Sequence, residues 1–172
     1  DGNLGGRSGA DAICLSYLDN ESFSMFNNSC STVRAVISVS SSDEIRDMAT
    51  NYSIPTNRKI RGRNGIFLAD GWDNVTGGAD GTANLEYSLN VGIPELFRQD
   101  ESHAYQKVWM GSANDGSLNS ESCSGWTSNA SSDGGNYGNP EKKPYYTSDG
   151  RSFLSAASRT CNYKLRLLCA CY

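Results

Sequence analysis

Gly5-Gly6-Arg7-Ser8-Gly9-Ala10-Asp11-Ala12-Ile13-Cys14-Leu15-Ser16-Tyr17 decides how the chain is organised, because it sets a cysteine on the apolar side of an early helix. The glycines make a flexible entry. Ala10, Ile13, Cys14 and Tyr17 then recur at the i, i+3, i+4, i+7 spacing that gathers apolar groups on one helical face. At the far end Lys164-Leu165-Arg166-Leu167-Leu168-Cys169 reads as a buried final strand. Cys169 is in phase with Leu165 and Leu167, and Cys171 lies past the end of that pattern. With Cys30, Cys123 and Cys161 the chain holds 6 cysteines, an even number that points to disulfides and an oxidising compartment. A metal site is the rival, but Cys169-x-Cys171 lacks knuckle spacing and the single histidine, His103, is remote in sequence. Many pairings are open to such a set, and the spacings alone choose none.

Between these ends the chain reads as one domain, residues 1–172, with a net charge of −4 that argues against a nucleic-acid binder. No apolar run approaches the roughly 20 residues of a membrane span. The first residue, Asp1, follows no basic-then-apolar leader, so the chain is expected to be a mature or trimmed product. Val33, Ala35, Ile37 and Val39 alternate with polar residues and predict a strand over 33–39. Residues 43–48 suit a second short helix capped by Ser42 or Asp43, with Ile45 and Met48 inward. Short strands are expected at 85–89 and 108–111. Ser, Asn, Gly and Asp dominate 127–149, a stretch too long for an ordinary connector. The fold class is α+β: short helices around a twisted, mainly antiparallel sheet, stapled by disulfides, with a long irregular late loop.

Five blocks in order carry a resemblance. Leu4 to Cys14, Leu68-Ala69-Asp70-Gly71-Trp72-Asp73-Asn74-Val75-Thr76-Gly77-Gly78, Val108-Trp109-Met110-Gly111-Ser112, Cys123-Ser124-Gly125-Trp126-Thr127, and Cys161 with Leu165 to Cys169 are similar to a bacterial secreted-domain family of unknown function found among leptospiral surface proteins. The same skeleton, with Arg34-Ala35 on the first long strand, resembles endostatin, the C-terminal domain of certain basement-membrane collagens. The resemblance implies a C-type-lectin-like fold and a nested pairing: Cys14 with Cys169 and Cys123 with Cys161, leaving Cys30 and Cys171 for a third bridge.

Candidate sites follow from composition and from the resemblance. Asn136, Tyr137, Asn139, Glu141, Tyr145 and Tyr146 mix aromatics and amides with glycines in the late loop, the composition of adaptable binding surfaces, and are the expected ligand contacts. Arg58, Lys59, Arg61 and Arg63 form a basic cluster in an acidic chain. Endostatins bind heparin-like polyanions through exposed arginines, so the resemblance implies a polyanion site there; a charged, pairing-resistant strand edge is the plainer reading. Calcium would need acidic and amide oxygens. Asn139-Pro140-Glu141 looks like half of a lectin motif without its Trp-Asn-Asp partner, and Asp70, Asp73, Asn74 and Asp80 suit turns better than a cation. No cofactor or metal is assigned. No activated nucleophile or acid–base pair stands out, and His103 reads as a surface residue, so the chain is not expected to be an enzyme. The expected function is extracellular binding or adhesion at a glycan or protein ligand. The alternative is a self-assembling subunit of a surface layer, filament or matrix.

Overall fold

The computed structural model describes residues 1–18, 30–62, 64–76, 85, 87, 89, 107–140 and 153–172. The order is α1 (Gly6–Leu18), β1 (Val33–Ala35), a 3₁₀ turn (Ile45–Asp47), α2 (Met48–Tyr52), β2 (Ile60–Arg61), β3 (Phe67–Ala69), α3 (Asp73–Thr76), β4 (Val108–Trp109), β5 (Gly134–Gly138), β6 (Ala157–Thr160), β7 (Arg166–Leu167) and β8 (Cys169–Cys171). β1 pairs antiparallel with β8, β2 with β3, and a four-stranded sheet runs β6-β5-β4-β7 with only β4 and β7 parallel. The architecture is mixed α+β with small, mainly antiparallel sheets.

Helix α1 starts earlier than its apolar spacing predicts, and Ala10 and Cys14 are buried in the core. Tyr17 departs from the expectation: it is 55% exposed. What seats the helix is charge. The Arg7 guanidinium forks onto Asp43, with Nε and Nη2 each 2.8 Å from a carboxylate oxygen, and donates to the carbonyls of Ala35 and Ile37 at 2.6 Å. One turn on, Asp11 accepts from the Ala35 N–H at 2.8 Å and from Arg34 at 2.6 Å. Arg7 and Arg34 also both lie over the ring of Tyr52. The Gly-Arg-x-x-Ala-Asp opening is therefore a clamp on β1.

The alternation expected over 33–39 governs the packing, although regular strand pairing ends at Ala35. Ala35 and Ile37 face a cluster with Cys14, Trp109, Trp126, Tyr137 and Cys161, while Val36 faces a second one with Ile45, Met48, Leu68, Trp72 and Phe153. Beyond β1 the backbone changes partners: the Val36 N–H donates to Leu168 and the Ser38 N–H to Met110, both at 2.8 Å. At the C-terminus the strand pattern does not stop before Cys171, since β8 continues through it in register with Val33. Of the strand expected at 85–89, Leu85, Tyr87 and Leu89 are described; Leu85 and Leu89 are buried, and Leu89 is helical rather than extended.

The bridges are Cys14–Cys169, Cys30–Cys171 and Cys123–Cys161, the set the resemblance implies. The first closes a loop of sequence separation 155. In the chain-entropy view such a closure restricts the unfolded state by about 4–5 kcal/mol.

The late segment is the main correction. Gly134-Gly135-Asn136-Tyr137-Gly138 is β5, an inner strand of the four-stranded sheet and not an irregular loop. Its glycines serve close packing. A Cβ at Gly135 would lie 2.6 Å from the Cys123 sulfur, and one at Gly138 only 1.6 Å from the Phe153 carbonyl oxygen. Asn136 and Tyr137, expected at the surface, are 3% and 7% exposed. Tyr137→Ala should therefore cost stability, about 3 kcal/mol or more as for other buried aromatics, measured by urea unfolding of the oxidised protein.

Candidate functional site

Residues 123–126 form a turn of the left-handed hand, with φ of 49° at Cys123, 55° at Ser124, 67° at Gly125 and 65° at Trp126. The conformation costs L-residues roughly 1–2 kcal/mol each, a penalty only Gly125 escapes. Three restraints hold it. The Trp126 N–H donates to the Ser122 carbonyl at 2.7 Å, the fully buried Trp126 indole donates to the Ser38 carbonyl at 2.8 Å, and Cys123 is tied to Cys161. The bridge brings the flanks of both cysteines together, and there an open cleft of about 400 Å³ is lined by Glu121, Asp133, Ser158, Arg159 and Tyr163, with Ser132, Gly134 and Thr160.

The cleft takes residues from both faces of the sheet's β6 edge. Gly134 lies opposite Thr160 and Asn136 opposite Ser158, so these positions share one face of β5 and β6, while Arg159 lies opposite Gly135 on the other. On the other side of β5 the Asn136 N–H donates to the Glu121 carbonyl at 2.7 Å. Because Gly134 has no side chain, the Glu121 carboxylate can lie against it, where a Cβ would come within 2.9 Å of Oε1, and accept a hydrogen bond from the Ser158 hydroxyl on β6. Asp133 accepts from Ser124 at 3.2 Å and from Ser132 at 3.3 Å. Hydroxyl donation, from Ser128 first and then Ser124, outweighs slight desolvation and holds the Asp133 carboxyl below the usual aspartate range. Arg159 lies over the Tyr163 ring, 5.7 Å from its centre, and among the described residues it has no carboxylate within ion-pair distance. Tyr163 is 48% exposed. The cleft thus offers two carboxylates, several hydroxyls, a guanidinium and an aromatic ring.

The residues singled out from sequence fall elsewhere. Asn136 donates to the Ser155 hydroxyl at 3.2 Å, and Tyr137 packs under the Lys107 ammonium. Both belong to the sheet rather than to a surface, a correction that follows from the close packing of β5. Asn139 is half-buried just beyond it. Glu141, Tyr145 and Tyr146 lie outside the described residues, as do Arg63, Asp80 and His103. Arg58, Lys59 and Arg61 are exposed on the β2–β3 hairpin, where Lys59 lies over the Phe67 ring and Arg61 donates to the Gly65 carbonyl at 3.0 Å. Asp70 and Asp73 are exposed. Among the described residues no three His, Cys, Asp or Glu side chains gather where one ion could be held. No helix of the described residues is long and apolar enough to cross a membrane.

Sequence reasoning missed Glu121, Asp133, Ser158, Arg159 and Tyr163. Their one signal was the pairing of Cys123 with Cys161, which brings 121–124 beside 158–163. No protein-family model matches the chain, and no curated protein matches it.

Proposed function

We propose that the chain is an extracellular binding module of C-type-lectin-like fold, recognising a glycan or protein ligand through the cleft between Glu121 and β6. The observation that carries this reading is the cleft itself: solvent-open ionised and hydroxyl groups set on a cross-linked frame. Three disulfides suit an oxidising location outside the cell. An early helix bridged to the last strands, with the 123–161 bridge nested inside, supports the fold assignment.

The test is a binding screen of the oxidised chain against arrayed glycans and extracellular proteins, repeated with two variants. Asp133→Asn combined with Arg159→Ala should weaken the selected ligand about tenfold or more, as loss of charged hydrogen bonds does. Arg58→Ala/Lys59→Ala/Arg61→Ala should leave it unchanged. The reverse pattern would move the contact surface to the hairpin and defeat the proposal. Because the folded-state pKa of Asp133 is lowered, its contribution should persist as pH falls to the ordinary aspartate value of about 3.9 and disappear only below it. Titrations from pH 7 down to pH 3 check this.

The basic hairpin favours a second reading, a self-assembling subunit. Exposed Arg58, Lys59 and Arg61 on a chain of net charge −4 give one molecule surfaces of opposite sign. Such assembly would grow with concentration and dissolve with salt in sedimentation velocity, and the triple hairpin variant would abolish it.

A further inference from the structure

We infer that the cleft's ligand is a carboxylated sugar, with Arg159 as the residue that selects the acid over a neutral sugar. This inference rests on the binding reading above and names the chemistry of the same site. The argument begins with the unpaired charge. Glu121 and Asp133 each already accept hydroxyl hydrogen bonds from within the protein, Glu121 from Ser158 and Asp133 from Ser124 and Ser132. Arg159 lines the cleft with both, has no carboxylate within ion-pair distance among the described residues, and lies over the Tyr163 ring. Its guanidinium carbon lies 5.7 Å from the ring centre, and a cation–π contact of this kind uses the face of the group, leaving in-plane N–H donors that match a planar anion.

The remaining groups restrict what that anion is attached to. Two carboxylates with acceptor capacity left beside the fork would repel a dianionic phosphate ester more than a monoanion. They suit a molecule whose body presents O–H donors. The exposed Tyr163 ring supplies an apolar contact for a face of C–H groups. One carboxylate on a polyhydroxylated ring meets all three demands: the acid on Arg159, hydroxyls on Asp133 and Glu121, and ring carbons near Tyr163. Sugar acids with the carboxylate on the terminal carbon, such as hexuronates, and those with it on the anomeric carbon, such as nonulosonates, share this chemistry.

The experiment is isothermal titration of the oxidised full chain with glucuronate, N-acetylneuraminate and glucose, each at the same ionic strength. At least one acid should bind about tenfold or more tightly than glucose, the margin expected of a charged fork. The tighter of the two acids identifies the carbon that carries the carboxylate. Arg159→Ala should bring that acid down to the level of glucose, and Arg159→Lys should recover only part, since an ammonium has no fork. Asp133→Asn should weaken the neutral sugar at least as much as the acid, since the lost hydrogen bond is shared and only the acid gains from the removed negative charge. Equal affinities for glucose and both acids, all lowered by Asp133→Asn, would overturn the inference and leave the cleft as the binding surface. No binding of any of the three that responds to Asp133→Asn would overturn the inference, and the glycan branch of the binding reading with it.

Discussion

Arg7→Ala is expected to destabilise the protein by about 3–5 kcal/mol, the loss typical when one partner of a buried ion pair is removed. Arg7 and Asp43 keep only 14% and 17% of their side-chain surface exposed, so the Asp43 carboxylate left behind would be largely shielded from water. The same substitution strips the Arg7 donor from the Ile37 carbonyl, a buried acceptor whose loss adds to the cost, and leaves the Ala35 carbonyl with the Ile37 N–H alone. Since small domains are stable by roughly 5–15 kcal/mol in all, such a loss should be plain in urea unfolding at fixed redox state. Arg7→Lys should recover part of it, because an ammonium can meet Asp43 but cannot fork onto the carboxylate and both carbonyls together. A change under about 1 kcal/mol for Arg7→Ala would mean the clamp is incidental and that the Cys14–Cys169 bridge and apolar packing alone seat the helix.

Gly138→Ala is the second substitution of large expected effect. Its Cβ would lie 1.6 Å from the Phe153 carbonyl oxygen and 2.7 Å from the carbonyl carbon, so backbone rather than a side-chain tip must give way. Overpacking a core commonly costs about 1–3 kcal/mol, and a backbone collision at this distance belongs at or beyond the upper end. Gly134→Ala provides the contrast. There the new Cβ meets the end of the Glu121 side chain at 2.9 Å, which can swing aside. Stability should change little, while the Glu121 carboxylate leaves its place against β5 and cleft binding falls. If Gly138→Ala unfolded at the same urea concentration as the parent, the placement of β5 against Phe153 would be wrong.

These two positions also mark how far residue order could be read in advance. The helix at Cys14 and the alternation through Ile37 were legible because periodic burial leaves a periodic sequence. The buried strand expected over 164–169 was not found as such: the segment is split into β7 and β8, Leu165 to Leu168 are half-buried and Cys169 is exposed. Strand β5 was not legible. Gly134-Gly135-Asn136-Tyr137-Gly138 carries none of the branched residues that announce a strand, because its glycines answer the sulfur of Cys123 and the carbonyl of Phe153. Composition suggested a flexible surface where packing demanded the absence of side chains. The cleft was hidden for a related reason. Glu121, Asp133 and Arg159 are ordinary polar residues in separate stretches, joined by strand register and the Cys123–Cys161 bridge, and neither is written in local spacing. The clamp lies between these extremes: Arg7 and Asp11 stand in the helix-forming 5–17 segment, but their partners Asp43 and Ala35 are set by the fold.

Backbone amide chemical-shift mapping of the ¹⁵N-labelled, oxidised chain during titration with the tighter-binding sugar acid tests the central claim most directly. The account expects the perturbed amides to cluster at 121, 132–134 and 158–163, around the cleft, with the hairpin at 58–67 unmoved. Saturable shifts confined to that hairpin, with the cleft amides unchanged, would contradict it.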